Sequence, residues 1–154
     1  MVELEHTRSL LSELGLNTAS ELLDAKLEDA MHKNSTYLSF LSELLEAEIQ
    51  EKKRRSEETR IKLSRLPHRK TLEEFDFGFQ PSIDVRQIRE LSTLAFVARK
   101  ENVIFLGPPG VGKTHLAVGI AMQALKSGMT VYYASLAHLI SDLKKADLQG
   151  KLER

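Results

Sequence analysis

The sequence predicts an α/β chain in which an all-helical N-terminal region precedes an incomplete, doubly wound parallel-sheet domain. Three observations predict it. Over the first 66 residues, apolar side chains recur at helical spacing. Beyond residue 100 the period changes, and short apolar runs at 103–106 and 130–134 alternate with helical stretches, the order of successive βα units. A glycine-rich turn, 107–114, joins the first run to the helix after it. The boundaries drawn on this basis are a helical region at 1–66, a linker at 67–83 and the partial α/β domain at 84–154.

The elements follow in order. Leu4, Leu10, Leu11 and Leu14 mark a first helix, which Gly15 followed by Leu16 stops as a C′ glycine with its hydrophobic contact. Thr18 and Glu21 have capping-box spacing before a second helix that carries Leu22, Leu23, Leu27, Ala30 and Met31. Asn34 or Ser35 caps a third, which runs highly charged to about Leu66, where Pro67 ends it because proline lacks the backbone donor and clashes with the preceding turn. The linker holds Phe75, Phe77 and Phe79, too many aromatics for a disordered spacer, so it is expected to pack on the domain that follows. A helix over 84–99 presents Val85, Ile88, Leu91, Leu94, Ala95 and Ala98. The strand 103–106, a helix from Lys113 to Ser127 stopped by Gly128, the strand 130–134 and a helix over 136–146 complete the prediction.

A hydrophobic fraction of 42% is ample for a folded core, which excludes wholesale disorder. No cysteine is present, so disulfides and thiolate metal sites are excluded, and a reducing, cytoplasmic setting is expected. No apolar run approaches membrane-spanning length, and the first residues lack the pattern of a secretory signal. The zero net charge hides a strong asymmetry. Residues 1–50 hold ten acidic and three basic side chains, 51–70 hold nine basic against three acidic, and 71–154 are nearly balanced. Such blocks point to partners in a way that the total does not.

The motif with chemical content is Gly107-Pro108-Pro109-Gly110-Val111-Gly112-Lys113-Thr114, which fits G-x-x-x-x-G-K-[ST] at every defined position. The chain must wrap a phosphate closely enough for successive N–H groups to point inward, and a side chain at Gly110 or Gly112 would obstruct that path. Pro108 and Pro109 stiffen the entrance. The helix that starts near Lys113 aims its positive dipole end at the same place. Lys113 then reaches the β- and γ-phosphates of ATP, and the Thr114 hydroxyl ligates the Mg²⁺ that accompanies it. His115, next in line, is a further candidate nucleotide contact, with a packing role as its alternative. Tyr132 and Tyr133 read as sheet residues, and the remaining histidines show no ligand spacing.

The basic run offers Lys52, Lys53, Arg54, Arg55, Arg60 and Lys62 as contacts to the phosphate backbone of double-stranded DNA. An equally open reading makes it a solvated helix on which Glu51, Glu57 and Glu58 form i,i+4 pairs.

The stretch from FDFGFQP through the apolar run to GPPGVGKTHLA resembles the IstB-type transposition helper ATPases of bacterial insertion sequences, AAA+ proteins related to DnaC-type helicase loaders. The resemblance is most specific over 71–121. It implies a homo-oligomer that binds ATP and Mg²⁺, contacts double-stranded DNA and activates a partner transposase. It implies Walker A roles for 107–114, and the order 5-1-4-3-2 in the sheet, in which the two predicted strands are not neighbours. After Ala134 no apolar strand ends in acidic residues, so the Walker B strand, sensor and arginine finger of an ATPase are not encoded in these 154 residues. The chain therefore reads as a C-terminally truncated member. Two other functions stay open: a helicase loader for replication, and a non-enzymatic remnant that binds DNA or a partner.

Overall fold

The computed structural model describes residues 2–151 and contains seven helices among them: α1 (Val2–Glu13), α2 (Asn17–His32), α3 (Tyr37–Leu63), α4 (Val85–Ser92), α5 (Ala95–Ala98), α6 (Lys113–Lys126) and α7 (Leu136–Leu148). They form two compact units, Met1–Ser56 and Glu57–Arg154, and the division falls inside α3. No described helix is long and apolar enough to cross a membrane.

In the first unit α1 and α2 pack on each other, and Ala19, Leu23 and Leu44 form the centre with Leu4, Leu11, Leu16, Leu27 and Phe40 around it. Gly15 does stop α1: its φ is +70°, and the Leu16 N–H donates to Leu11 O at 2.8 Å. The expected capping box on α2 is absent. The cap residue is Leu16, which offers no side-chain acceptor, and the Thr18 hydroxyl is buried without a partner. The acceptor comes instead from α3, where Glu48, 3% exposed, takes the Ala19 N–H on Oε2 at 2.8 Å. A carboxylate at that end also meets the positive pole of the helix. Thr36 caps α3 by accepting the Ser39 N–H.

In the second unit three small apolar clusters share α6. Val118, Met122 and Leu125 meet Ile61 of α3, Leu116 meets Phe75 and Ile88, and Ile120 with Ala124 meets Leu94. The helix predicted over 84–99 is two helices. Asp84 caps α4 through the Arg86 N–H, and the chain breaks at Leu94, which takes the left-handed conformation (φ +63°) and is buried by it. α6 ends as predicted, with Gly128 at φ +88°.

The predicted parallel sheet is not there. Among the described residues no strand occurs, and the fold is helices joined by irregular chain. A strand exists only where its N–H and C=O groups pair with a neighbour, and the described residues give neither apolar run such a neighbour. In 130–134 the Tyr133 N–H donates to Ser64 O at 2.8 Å, a single bond rather than a ladder. Nor is 103–106 covered on both faces. Val103 and Phe105 are half-buried, whereas Ile104 and Leu106 are 77% and 88% exposed.

Candidate functional site

The glycine-rich loop leads into α6. Gly107, Gly110 and Gly112 all have positive φ, at +155°, +86° and +87°, so the loop turns through conformations that side chains with a Cβ rarely adopt. Two of these glycines are required for different reasons. A Cβ at Gly110 would meet nothing within 4 Å, so that position is set by conformation alone. A Cβ at Gly112 would lie 2.5 Å from Phe75 Cε2, so that position is set by conformation and by contact. Gly112 is also the cap residue of α6, and no side chain caps the helix. The first-turn N–H groups are therefore left to the loop, the arrangement that receives an anion.

Lys113 folds back over the loop, and its Nζ donates to Gly107 O at 2.9 Å and Pro108 O at 2.7 Å. The ammonium thus sits inside the turn on neutral acceptors, which a phosphate oxygen would outcompete. Thr114, second in α6, is exposed beside it. Pro108 and Pro109 are exposed at the entrance, and Val111 is half-buried. A cavity of about 250 Å³ adjoins the loop, and its lining includes Val111, Lys113, Leu106, Ser82, Asp84 and Gln87. Nothing in the sequence pattern singles out Ser82, Asp84 or Gln87, because polar residues at a helix start are ordinary.

His115 is engaged by the linker. Its Nε2–H donates to Thr71 O at 2.9 Å, and its ring meets Phe75 and His68 edge-on at 5.1 and 6.0 Å between centroids. Phe75 and Phe77 pack the linker on the second unit as expected, whereas Phe79 is exposed. The support that Phe75 gives Gly112 does not follow from the motif pattern. The signal that could have found it is the concentration of three phenylalanines within five residues ahead of a glycine-rich turn. Among the described residues no three His, Asp or Glu side chains gather as a metal site.

On α3 the basic candidates separate. Lys52, Lys53, Arg54 and Arg55 are exposed at the end of the first unit. Glu51 takes Arg54 in a two-pronged pair at 2.8 Å and Arg55 at 2.7 Å, and these hydrogen bonds, Arg54's first, hold its carboxyl down to about 2. Lys52 pairs with Glu48 at 3.6 Å. In the second unit Lys62 is exposed, whereas Arg60 is half-buried and donates from Nε to Leu125 O at 3.3 Å.

Residues 9–154 match the family described as IstB-like ATP binding protein. The chain belongs to that family. It is 52% identical over 141 residues to a Geobacillus stearothermophilus protein named as an ATP-binding protein of insertion sequence IS5376, covering 92% of this chain and 56% of that one. It is 48% identical over 145 residues to a Pseudomonas aeruginosa protein named likewise for IS21 (94% and 55%), and 35% identical over 143 residues to one from Bacillus thuringiensis subsp. berliner named for IS232 (93% and 57%). The chain thus spans about half the length of the curated relatives it matches.

Proposed function

We propose that this chain binds ATP with Mg²⁺ through 107–114 and serves the transposition of an insertion sequence as an ATP-binding helper. The observation that carries the reading is the loop itself: three positive-φ glycines, a lysine ammonium held inside the turn, and an uncapped helix start aimed at the same point. In this reading Lys113 exchanges the Gly107 and Pro108 carbonyls for phosphate oxygens. The uncapped N–H groups of α6 orient the same phosphates, and the Thr114 hydroxyl faces the metal. Bound Mg²⁺ would supply charge neutralisation between the phosphates. The names of the relatives, all tied to insertion sequences, favour a transposase over a replicative helicase as the partner. Oligomer formation and cytoplasmic action belong to the same proposal.

The reading extends to duplex DNA through the exposed cations of α3, above all Lys52, Lys53, Arg54 and Arg55, which a phosphate backbone would engage without regard to sequence. The nucleotide assignment is tested by titrating a fluorescent ATP analogue into the chain and its Lys113→Ala variant. Affinity is expected to drop by more than tenfold in the variant, because a charge-assisted contact is worth roughly 1.5–3 kcal/mol. Equal binding by the two would remove the loop from the site.

A further inference from the structure

The linker does more than join two segments: its residues 71–77 lie in a groove cut into α6. Gly112 and Gly119 stand seven residues, two turns, apart and so share one face of the helix. The linker fills the space at both. A Cβ at Gly119 would come within 2.6 Å of Leu72 Cδ2 and 3.0 Å of the Leu72 backbone nitrogen, as one at Gly112 would strike Phe75. Between the two glycines, His115 bonds the Thr71 carbonyl. Local bonds hold the shape of the segment: the Thr71 N–H donates to Glu74 Oε2 at 2.6 Å, and the Phe75 N–H to Leu72 O at 3.2 Å.

The groove opens at the phosphate end of α6. Phe75, 9% exposed, supplies the three atoms nearest the missing Cβ of Gly112, the residue that precedes Lys113 and closes the loop. His115 is the third residue of the helix. Any motion of the linker out of the groove therefore withdraws support from Gly112 and from the first turn of α6 together. We infer that 71–77 is a strap whose docking sets the phosphate-binding loop, with Phe75 and His115 as its positioning residues. This inference rests on the nucleotide reading above. Because coupling between two binding events is reciprocal, nucleotide on the loop must also tighten the strap.

The experiment is hydrogen exchange on the backbone amides of 71–77, with and without Mg²⁺ and a non-hydrolysable ATP analogue. It is run on the chain and on Lys113→Ala, with fluorescent ATP-analogue titrations of Phe75→Ala and Phe75→Leu alongside. Exchange in the strap is expected to slow by about tenfold on nucleotide binding, within the usual range of such couplings, and to stay unchanged in Lys113→Ala. Phe75→Ala is expected to lose about tenfold in nucleotide affinity with Lys113 intact, and Phe75→Leu, which keeps apolar bulk without adding atoms to the contact, to lose less. If the parent chain binds nucleotide while its strap amides exchange at the same rate throughout, the inference is overturned and the nucleotide reading survives. If Phe75→Ala fails to fold, the exchange comparison between parent and Lys113→Ala decides alone. A parent chain that binds no nucleotide removes both.

Discussion

Two loop glycines with nearly the same positive φ make an internal control for one contact. Gly110 and Gly112 have φ of +86° and +87°, so alanine at either position enters the positive-φ region at a cost of ~1–2 kcal/mol. They differ in what the new methyl group meets: nothing within 4 Å at Gly110, and Phe75 Cε2 at 2.5 Å and Cζ at 3.0 Å at Gly112. Phe75 is buried against Ile88 and Leu116 and cannot step aside without disturbing that cluster. Overpacking of this kind adds ~1–3 kcal/mol. Gly110→Ala should therefore destabilise the chain by ~1–2 kcal/mol and Gly112→Ala by ~2–5 kcal/mol. The assay is urea unfolding followed by circular dichroism, with Gly112→Ala repeated in a Phe75→Ala background, where its cost should fall to that of Gly110→Ala. Costs at the two glycines equal within ~0.5 kcal/mol, or no change in the Phe75→Ala background, would refute the placement of the ring under the loop.

Four other outcomes are expected. Glu48→Ala leaves the buried Ala19 N–H without an acceptor and should cost ~1–3 kcal/mol in the same unfolding assay, whereas Glu48→Gln, which keeps an acceptor oxygen, should cost less. Changing Lys52, Lys53, Arg54 and Arg55 to glutamine should weaken binding to all duplex sequences alike and flatten its salt dependence by up to ~0.9 per lost phosphate contact, read by fluorescence anisotropy from low to moderate salt. Glu51→Gln removes an acid that competes with phosphate for Arg54 and Arg55, so it should tighten the same DNA binding. The Glu51 carboxyl is depressed, so it stays ionised as pH falls past the ordinary glutamate range; its pairs with Arg54 and Arg55 should be lost only as pH approaches about 2, which an NMR titration of the side chain would follow.

How much of this was legible in the sequence depended on how far away the deciding atoms lie. Gly15 and Gly128 were readable as helix stops because a C′ glycine acts on its own four or five neighbours. The loop was readable for the same reason, since its glycines, lysine and threonine act within eight consecutive residues. Thr18 does not cap the helix as its spacing to Glu21 predicts, because that spacing says nothing about Glu48, 29 residues downstream of Ala19, whose carboxylate reaches the helix end. The break at Leu94 follows from tertiary gain: burying one leucine among Ile120 and Ala124 outweighs the left-handed conformation it requires.

The sheet failed for a different physical reason. An apolar run such as 103–106 reports a tendency to be covered, which is not evidence of the cover itself. Pairing is a property of two segments, and hydropathy in one of them carries no information on whether the other is present. The exposure pattern makes the distinction concrete: Phe105 reaches the clusters that share α6, while Ile104 and Leu106, equally apolar, face away from them. The loop at 107–114 holds its shape without a ladder beneath 103–106 because its supports lie elsewhere: in Lys113 bonded across the turn, in α6 behind it, and in Phe75 under Gly112. Nucleotide affinity in this chain should thus answer to changes at Phe75 and His115 more than to polar substitution of Ile104 or Leu106. A titration of Leu106→Ser that lost as much affinity as Phe75→Ala would show that the run before the loop, and not the strap beneath it, supports the site.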